Sequence, residues 1–389
     1  MKENQTVTRQ PHSPDIESWL SLIRTEGVGP VNFRKLLEKL GSIEDVLGAS
    51  VAQLTKVDGI GDKTAERIAR TRGQFDTARE LELAEKHGVW LVCLDDDRYP
   101  APLRQIYDPP PVLYVKGTLC RQDSLGVAVV GSRRCSQYGL EQANRFASFL
   151  AITGFTVVSG LARGIDSAAH RGALSAKGRT FAVEGCGLAH VFPPENKALF
   201  AQIAENGAVL SELPLTYEPL SENFPGRNRI IAGLSIGTLV VEASLKSGAL
   251  LTAQATLENN REVMAIPGQI DNPSCAGSHK LLKQGARLID SIEELMDALG
   301  CIGQDLKGHA VQAAQNAEES AQKTLFDVSD LKLSDPERRV LNCFEGNVLH
   351  LEELIAKTDL PAGTIYAATV SLQLKGLLKQ LAGNMFSQR

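Results

Sequence analysis

Short apolar runs alternate with helix-length segments from about residue 124 to residue 300, and this alternation restricts the fold more than any other feature. The predicted strands are Gly126–Val130, Thr156–Val158, Thr180–Val183, Ala208–Leu210, Thr238–Val241 and Glu262–Ile266. The predicted helices include Leu140–Ile152, Lys197–Asn206 and Leu250–Asn259. Parallel strands need helical crossovers that cover both sheet faces, which explains uninterrupted apolar runs. The pattern therefore predicts an α/β fold with a parallel, doubly wound sheet.

The segments before this region predict an extended sheet edge and a tail. Two further strands, Val89–Leu94 and Val112–Gly117, are expected to lengthen one edge of the sheet, so we place the sheet domain at residues 86–300. Residues 1–14 are polar and contain no apolar signal-peptide segment. We expect them to form a short disordered tail.

Residues 15–85 are predicted to form a helical domain with an internal near-repeat. Glu26-Gly27-Val28-Gly29-Pro30 and Val57-Asp58-Gly59-Ile60-Gly61 each place a Gly-x-Gly turn between two short amphipathic segments. The pair resembles the helix-hairpin-helix motif of SAM-like domains, in which the turn presents backbone N–H groups to a DNA phosphate. The alternative is a compact helical module that touches no DNA.

Two segments follow the sheet domain. Residues 301–332 are rich in Ala, Gln, Glu and Ser, which predicts a flexible linker. Residues 333–389 predict a winged-helix domain, with helices at Glu337–Cys343, His350–Ala356 and Ala362–Lys375 before a hairpin with a Gly383-Asn384 turn. Basic and acidic side chains nearly balance there, so protein contact is as good an interpretation as DNA binding.

Composition argues against several classes of protein. No run approaches the roughly 18 apolar residues of a membrane helix, so we expect no membrane association. Seven scattered cysteines without a C-x-x-C pair argue against a disulfide framework or zinc ribbon and indicate a reducing cytoplasm. Seven dispersed histidines suggest no metal site. A net charge of −5 weakens a broadly basic surface but allows a local basic groove.

Glycines and small residues lie where several predicted strands turn into helices. The segments are Gly131-Ser132-Arg133-Arg134, Ser159–Asp166, Gly185-Cys186-Gly187, Phe224–Ser235 and Ser247–Ala253. The carboxyl ends of parallel strands meet at one sheet edge, and such turns expose successive N–H groups to anions. The arginines in these segments are Arg133, Arg134, Arg163, Arg227 and Arg229. Together these features predict a polyanion as the ligand rather than a single nucleotide.

The stretch Phe224–Ser235 carries two of these arginines at the start of an apolar run. We expect Pro225 to set a turn and Asn228 to cap the helix that follows. Arg227 and Arg229 would then face phosphate oxygens, although a helix cap with two solvated arginines explains this stretch equally well when it is taken alone.

The chain lacks the signatures of nucleotide-dependent enzymes. The first strand is not followed by G-x-G-x-x-G, and no G-x-x-x-x-G-K-[ST] segment occurs, so a dinucleotide cofactor and ATP hydrolysis are both disfavoured. The carboxylates near the strand ends are Asp166, Glu184, Glu212 and Glu242. They are candidates for an acid–base pair, but we favour pairing with arginines. His170 is either a general base or a structural hydrogen-bonding residue, and we favour the second.

Four segments, in this order, resemble the DNA-processing protein A (DprA/Smf) family. They are Gly131–Arg133, Ser159–Asp166, Phe224–Ser235 and Arg261–Gly268. The resemblance runs from about residue 15 to residue 300, and the winged-helix pattern also fits. It implies an extended Rossmann-like core that binds single-stranded DNA, forms a homodimer through this domain and needs no cofactor.

The resemblance also implies a biological role. Members of the family act in natural transformation, where they protect incoming single strands and load the RecA recombinase onto them past single-strand binding protein. No catalytic activity is established for the family.

The resemblance assigns roles to individual residues. Arg133 would be the principal phosphate contact and Lys197 a further cation. The remaining predicted DNA-binding set is Ser132, Arg134, Ser159, Gly160, Arg163, Arg227, Asn228, Arg229, Ser247, Gly248 and Thr252. Glu184 departs from the family pattern, which is usually apolar there, and adds a negative charge at the end of the third strand.

We therefore predict a cytoplasmic, non-enzymatic recombination mediator that binds single-stranded DNA. One alternative is a nucleotide N-glycosidase on a related scaffold, suggested by Gly237-Thr238 leading into Glu242. The other is an interaction scaffold whose flanking modules dock partners. Release of base from nucleoside monophosphates would indicate the first alternative, and absence of DNA binding by residues 120–300 would indicate the second.

Overall fold

The computed structural model describes residues 10–299, 334–344, 349–358, 360, 364–365, 368–369, 372, 378–381 and 385–388. The chain divides into two compact units, residues 1–311 and residues 312–389, and each is described by itself. The predicted linker at residues 301–332 lies outside the described residues, as do residues 1–9 of the predicted tail.

Nine strands within residues 10–299 form one sheet in the first unit. They are β1 (Trp90–Cys93), β2 (Val112–Gly117), β3 (Gly126–Val130), β4 (Thr156–Ser159), β5 (Thr180–Val183), β6 (Gly207–Ser211), β7 (Gly237–Val240), β8 (Glu262–Ala265) and β9 (Arg287–Leu288). Their spatial order is β1-β2-β6-β5-β4-β3-β7-β8-β9. In this spatial order, each neighbouring pair from β6 through β5, β4, β3, β7 and β8 to β9 is parallel. Strand β2 pairs antiparallel with both β6 and β1, so these two strands extend one edge of the sheet. The predicted doubly wound sheet with its edge extension is confirmed.

Helices cover both faces of this sheet. Those of the first unit are α1 (Ile16–Ile23), α2 (Pro30–Leu40), α3 (Ile43–Gly48), α4 (Val51–Leu54), α5 (Asp62–Thr71), α6 (Thr77–Lys86), α7 (Ala101–Arg104), α8 (Gln137–Ile152), α9 (Ile165–Ser175), α10 (Lys197–Asn206), α11 (Asn223–Gly233), α12 (Ala249–Glu258), α13 (Ala276–Lys283) and α14 (Ile292–Ala298). Alternate residues of β3 serve the two faces: Val127 and Val129 pack with α8 and α9, and Ala128 and Val130 pack with α11 and α12. Both faces are therefore buried, which accounts for the apolar strands.

The strand order reverses beside β3. The chain passes from β3 to β4, β5 and β6 on one side, and then crosses to β7 on the other side of β3. Loops that leave the carboxyl ends of β3 and β7 therefore diverge and open a crevice between them, which is the usual ligand position in such sheets.

The N-terminal helices pack directly on the antiparallel edge of the sheet. Leu20 and Phe33 share a hydrophobic cluster with Leu91 and Tyr114. The Glu80 carboxylate, which is buried, accepts a hydrogen bond from the backbone N–H of Leu215 at 2.7 Å. Because the helices and the sheet share one core, the domain boundary at residue 85 stays a prediction.

Both Gly-x-Gly turns lie between helices, as the sequence predicts. Gly27 and Gly59 have φ values of 86° and 85°, which glycine adopts without strain. Lys35 Nζ donates to the Asp58 carbonyl at 3.2 Å and lies 3.1 Å from its carboxylate, so α2 is tied to the second turn.

The prediction of a disordered tail is wrong for residues 10–14. The Ser13 backbone N–H donates to the Leu91 carbonyl at 3.0 Å, and its hydroxyl donates to Asp96 at 2.5 Å. Ser13 is buried, and the Gln10 side chain donates to the Leu119 carbonyl. Hydrogen-bonding groups on the edge strand β1 hold this polar segment, which apolar patterning does not reveal.

The second unit has the predicted order of winged-helix elements over its described residues. These are α15 (Asp335–Leu341), β10 (Leu349–His350), α16 (Leu351–Thr358), β11 (Leu378–Leu381) and β12 (Met385–Gln388). The three strands pair antiparallel in the order β10-β12-β11, and Val340, Phe344, Leu354 and Phe386 form the core. Most of the predicted third helix and the Gly383-Asn384 turn lie outside the described residues. Across the described part of the chain, no helix is both long and apolar enough to cross a membrane.

Arg261 holds the end of α11, and its removal is expected to destabilise the first unit. Its Nη1 lies 2.5–2.7 Å from the carbonyl oxygens of Ala232, Gly233 and Ser235, and its Nη2 donates to Pro102. Hydrogen bonds from charged donors each contribute about 1.5–3 kcal/mol. We expect Arg261→Ala to lower the free energy of unfolding by about 3 kcal/mol in urea titrations.

A matched control removes an exposed arginine of the same unit. Arg121 is exposed, and Arg121→Ala is expected to change the free energy of unfolding by less than about 0.5 kcal/mol. Equal stability of the two variants would contradict the role assigned to Arg261.

Candidate nucleic-acid interface

A cavity of about 570 Å³ opens at the crevice between the loops that follow β3 and β7. Its walls come from the β3–α8 turn, the β7–α12 loop and the first turns of α11. Of the predicted site, Ser132, Arg133, Arg134, Arg227, Asn228, Ser247, Gly248 and Thr252 line it. The fold therefore brings together residues that lie more than a hundred positions apart.

The β3–α8 turn presents two exposed cations. The Ser132 N–H donates to the Glu242 carbonyl at 2.7 Å, and its hydroxyl accepts from the Arg134 N–H at 3.1 Å. These bonds fix the turn, whereas the side chains of Arg133 and Arg134 are exposed. No described carboxylate forms an ion pair with either. Both guanidinium groups are thus available to an anionic ligand.

Glu242 supports this turn from below. Its carboxylate is buried and accepts hydrogen bonds from the Ser136 N–H at 3.0 and 3.1 Å and from the Ser136 hydroxyl. Ser136 caps α8 by accepting from the Gly139 N–H. Glu242 therefore ties the start of α8 to the end of β7, and it does not line the cavity.

Buried polar groups fix the loop after β4. The Asp166 carboxylate accepts from the Gly160 N–H at 3.1 Å, and His170 Nε2 accepts from the Leu161 N–H at 3.3 Å. Leu161 has a φ of 54°, a conformation that few non-glycine residues adopt. The Asn196 side chain donates to the Leu161 carbonyl at 2.7 Å. This loop is preformed by its own hydrogen bonds.

His170 belongs to this framework. Its Nδ1 lies 2.7 Å from the Thr180 hydroxyl, which itself donates to the Val157 carbonyl, so Nδ1 carries the proton and Nε2 accepts. Burial and the nearby Arg227 lower the pKa of His170 to about 3. The geometry therefore favours the structural interpretation over a general base.

Arg227 is buried at the floor of the cavity. Its Nη1 donates to the Val183 carbonyl at 2.8 Å, and its guanidinium packs so closely on Gly160 that a Cβ there would fall 1.7 Å from Nη1. The guanidinium carbon lies 5.5 Å from the centre of the Phe224 ring. The guanidinium carbon of Arg133 lies 5.3 Å from the centre of the same ring, so two guanidinium groups lie against the Phe224 side chain.

The expected cap at Asn228 is wrong. Helix α11 begins at Asn223, and Glu222 takes the N-cap position. Pro225 falls in the first turn, where a missing N–H costs nothing because that N–H has no partner in the helix. Asn228 lies one turn further and donates to the Gly248 carbonyl at 3.4 Å. The early start turns Arg227 and Asn228 inward.

Five predicted residues do not line the main cavity: Ser159, Gly160, Arg163, Lys197 and Arg229. Gly160 and Arg163 border an adjoining depression that shares Arg133 and Phe224 with the cavity. The guanidinium of Arg163 forms an ion pair with Glu195. The Ser159 hydroxyl donates to the Val129 carbonyl at 2.7 Å.

Arg229 points away from the cavity towards the antiparallel edge of the sheet. Its guanidinium lies 3.1 Å from Asp108 and 2.5 Å from Glu212. Burial raises the pKa of Glu212, and Arg229 opposes that rise. The two carboxylates neutralise Arg229. The sequence alone predicted the same phosphate-binding role for Arg229 and Arg227.

Sequence reasoning missed four lining residues: Ser221, Ser244, Lys246 and Ser274. Lys246 is exposed and directly precedes the predicted Ser247-Gly248 segment, so the same loop could have indicated it. Ser274 lies far along the chain in an unpatterned loop and carries no local signal. In the described part of the chain, no group of three or more His, Cys, Asp or Glu residues is arranged to hold a metal ion.

The fold and the cavity define a class: a doubly wound α/β protein with a cation-lined cavity where its strand order reverses. Residues 90–300 match the family described as DNA recombination-mediator protein A. Residues 20–71 match the SAM-like helix-hairpin-helix tandem, and residues 324–384 match the DprA winged-helix domain. The chain belongs to the DNA recombination-mediator protein A (DprA/Smf) family.

Individual relatives agree with this assignment. Protein Smf of Synechocystis sp. is 35% identical over 390 residues, which cover 95% of this chain and 98% of the relative. DNA processing protein DprA of Streptococcus pneumoniae is 44% identical over 201 residues, covering 52% of this chain and 71% of the relative. The X-ray structure of the Streptococcus pneumoniae protein aligns with a TM-score of 0.64 and 34% identity, covering 74% of this chain and 98% of that one.

Gly160 is expected to tolerate no side chain. A Cβ at this position must displace the Arg227 guanidinium, which is confined by Phe224 on another side. We expect Gly160→Ala to lower the free energy of unfolding by about 1–3 kcal/mol, measured by denaturant titration.

Gly226→Ala is the matched control, because a Cβ there meets open space within α11. This change is expected to raise the free energy of unfolding by about 0.5–1 kcal/mol. Unchanged stability of Gly160→Ala would contradict the close packing of Arg227 on the loop.

His170 is expected to make the fold acid-sensitive. Its pKa is about 3 in the folded protein and lies below the unfolded value near 6.5. Between these two pKa values the unfolded state binds a proton at His170 that the folded state does not. The free energy of unfolding is therefore highest above pH 6.5, and it falls by at most about 1.4 kcal/mol per pH unit as the pH is lowered towards 3.

The free energy of unfolding, measured from pH 7 to pH 4, is expected to show this slope in the wild type. His170→Gln is expected to be less stable at pH 7 but to lack the His170 part of the slope. Parallel pH profiles of the two proteins would show that His170 is not buried in its neutral form.

Proposed function

We propose that this protein binds single-stranded DNA in the cavity between the β3 and β7 loops. The observation that carries the proposal is a pair of exposed arginines on the wall of that cavity, Arg133 and Arg134, which form no ion pair with any carboxylate in the described part of the chain. Lys246 adds a cation from the β7–α12 loop, and the hydroxyls of Ser247 and Thr252 add donors. Guanidinium groups and hydroxyls are the usual partners of phosphate oxygens.

The aromatic side chains favour a single strand over a duplex. Phe224 lines the cavity, is partly exposed, and packs 5.5 Å from Phe192. An aromatic ring can stack on a base only when the base is unpaired and can leave its neighbours. A site that combines arginines with a stacking ring is therefore suited to single-stranded nucleic acid.

The family supports a finer proposal. Two relatives carry the name DNA processing protein DprA, and the family name describes a recombination mediator. We extend this to protection of incoming single strands and loading of RecA onto them, with single-strand binding protein as the competitor. The cytoplasm is the proposed location, in keeping with cysteines that are free among the described residues.

A homodimer is part of the same proposal. Leu250, Leu257 and Leu281 line an apolar depression of about 390 Å³ on α12 and α13. Leu257 is 58% exposed, and exposed apolar surface of this kind is typical of protein contacts. We propose this face of the sheet domain as the dimer surface.

The contacts do not favour the glycosidase alternative. Most glycoside hydrolases place two carboxylates beside the scissile bond. Among the described residues, Asp166 is the carboxylate on the cavity wall, and its oxygen is engaged by Gly160. Glu242 lies behind the wall in its bonds to Ser136. We therefore propose a binding protein rather than an enzyme.

Arg133→Ala tests the assignment of the site. Removal of one phosphate contact is expected to weaken binding of a labelled single-stranded oligonucleotide about tenfold and to reduce the salt slope by about 0.7. Fluorescence anisotropy across a range of salt concentrations measures both quantities. Arg121→Ala removes the same charge from an exposed site that does not line the cavity, and it is expected to behave as the wild type.

Two outcomes separate the site from the function. If the wild type binds the strand and Arg133→Ala binds it equally well, the cavity is not the site. If the wild type binds neither single-stranded nor double-stranded DNA, the interaction scaffold is the better description of the protein.

A further inference from the structure

A buried carboxyl group, Glu184, lies behind the cavity at the end of β5. It is 2% exposed and does not line the cavity. Its backbone N–H continues the sheet by donating to the Leu210 carbonyl at 2.8 Å. The rigid strand end therefore fixes the position of this side chain.

Glu184 has few partners for a negative charge. Its Oε1 accepts from the Phe192 N–H at 3.4 Å, and its Oε2 is 4.0 Å from the Cys186 sulfur. No described cation lies within ion-pair distance of its carboxylate. Burial raises the pKa of Glu184 to about 8, although Arg227 and two backbone N–H groups act in the opposite direction. The protonated form is thus accessible near neutral pH.

Arg227 connects Glu184 to the cavity. It donates to the carbonyl of Val183, the residue before Glu184, and its Nε has no hydrogen-bond partner among the described residues. Arg227 itself lines the cavity. Phe224 packs on the next residue, Gly185, where a Cβ would lie 3.1 Å from the ring. A charge on Glu184 therefore acts on the floor against which a ligand would rest.

The neighbouring charges define what protonation does. Arg227 from α11 and the Cys186 thiol from the following loop face Glu184. Asp166 from α9 and Arg133 from the β3–α8 turn face Arg227. Burial raises the pKa of Asp166, and Arg227 and the Gly160 N–H oppose that rise by favouring its carboxylate. Ionised Asp166 and neutral Glu184 leave the buried Arg227 balanced, whereas ionised Glu184 adds a second negative charge close to the phosphate position.

We propose that Glu184 couples occupation of the cavity by single-stranded DNA to the uptake of one proton, which Glu184 holds in the bound state. The inference rests on the proposed function. The negative charge of a phosphate in the cavity repels the ionised carboxylate of Glu184 behind the cavity floor, so DNA binding favours the protonated form of Glu184. Because linkage is reciprocal, the protein with protonated Glu184 binds DNA more tightly than the protein with ionised Glu184. Glu184 acts through Arg227 and is a positioning residue rather than a DNA contact.

The sign of the pH dependence follows from this linkage. The DNA raises the proton affinity of Glu184, so binding is strongest where Glu184 is already protonated and weakens as the pH rises through about 8. For one linked proton whose pKa rises by one to two units, affinity falls about five- to tenfold between pH 7 and pH 9.

Anisotropy titrations with an oligo(dA) strand test the proposal, since adenine does not titrate in this range. The wild type is expected to lose affinity from pH 7 to pH 9, whereas Glu184→Gln, which cannot ionise, keeps a nearly constant affinity. Glu212→Gln is the matched control: it removes a half-buried carboxyl that is bonded to Arg229, away from the cavity. It is expected to keep the wild-type pH profile.

Calorimetry of the wild-type protein gives a second measurement that does not depend on how any variant folds. Titrations at pH 8 in two buffers with different ionisation enthalpies are expected to show proton uptake on DNA binding. Absence of uptake, or identical pH profiles for the wild type and Glu184→Gln, overturns the linkage while leaving DNA binding intact. Failure of the wild type to bind oligo(dA) at pH 7 overturns the proposed function itself.

Discussion

The guanidinium of Arg227 is the contact around which the cavity is assembled. It joins three separate segments: it packs on Gly160 from the β4 loop, donates to Val183 on β5 and adjoins the ring of Phe224 on its own helix. A buried arginine is tolerated only where nearby groups stabilise its charge, and Asp166 and the Val183 carbonyl do so here. Arg227 therefore joins the preformed β4 loop, the end of β5 and the start of α11 at the floor of the cavity.

This arrangement divides the arginines by environment. Arg133 and Arg134 project from a turn whose backbone is fixed by Ser132 and Glu242, so their side chains remain free for a ligand. Arg227 supplies charge from beneath, and Arg229 is neutralised by Asp108 and Glu212 on the far side of α11. Residues two positions apart on a helix point in different directions, so Arg227 and Arg229 lie in different environments although they are close in sequence.

The sequence predicted the sheet well because parallel strands are buried on both faces and therefore leave uninterrupted apolar runs. It predicted the Ser132–Arg134 and Ser247–Thr252 segments of the cavity because small residues mark tight turns at strand ends. It failed at Gln10–Pro14, whose bonds to β1 involve polar groups with no periodic signal. It also placed the start of α11 six residues too late, since Asn228 resembles a cap but lies inside the helix.

The sequence by itself determined the class of fold, the family and the turns that line the cavity, because periodicity and local turn chemistry depend on neighbouring residues. Only the tertiary structure decided which charges are free. Ion pairing and burial depend on residues distant in the chain, as with Arg229 and Asp108 or Arg227 and Gly160. The charge that a ligand meets at the cavity is therefore a property of the folded protein rather than of any motif.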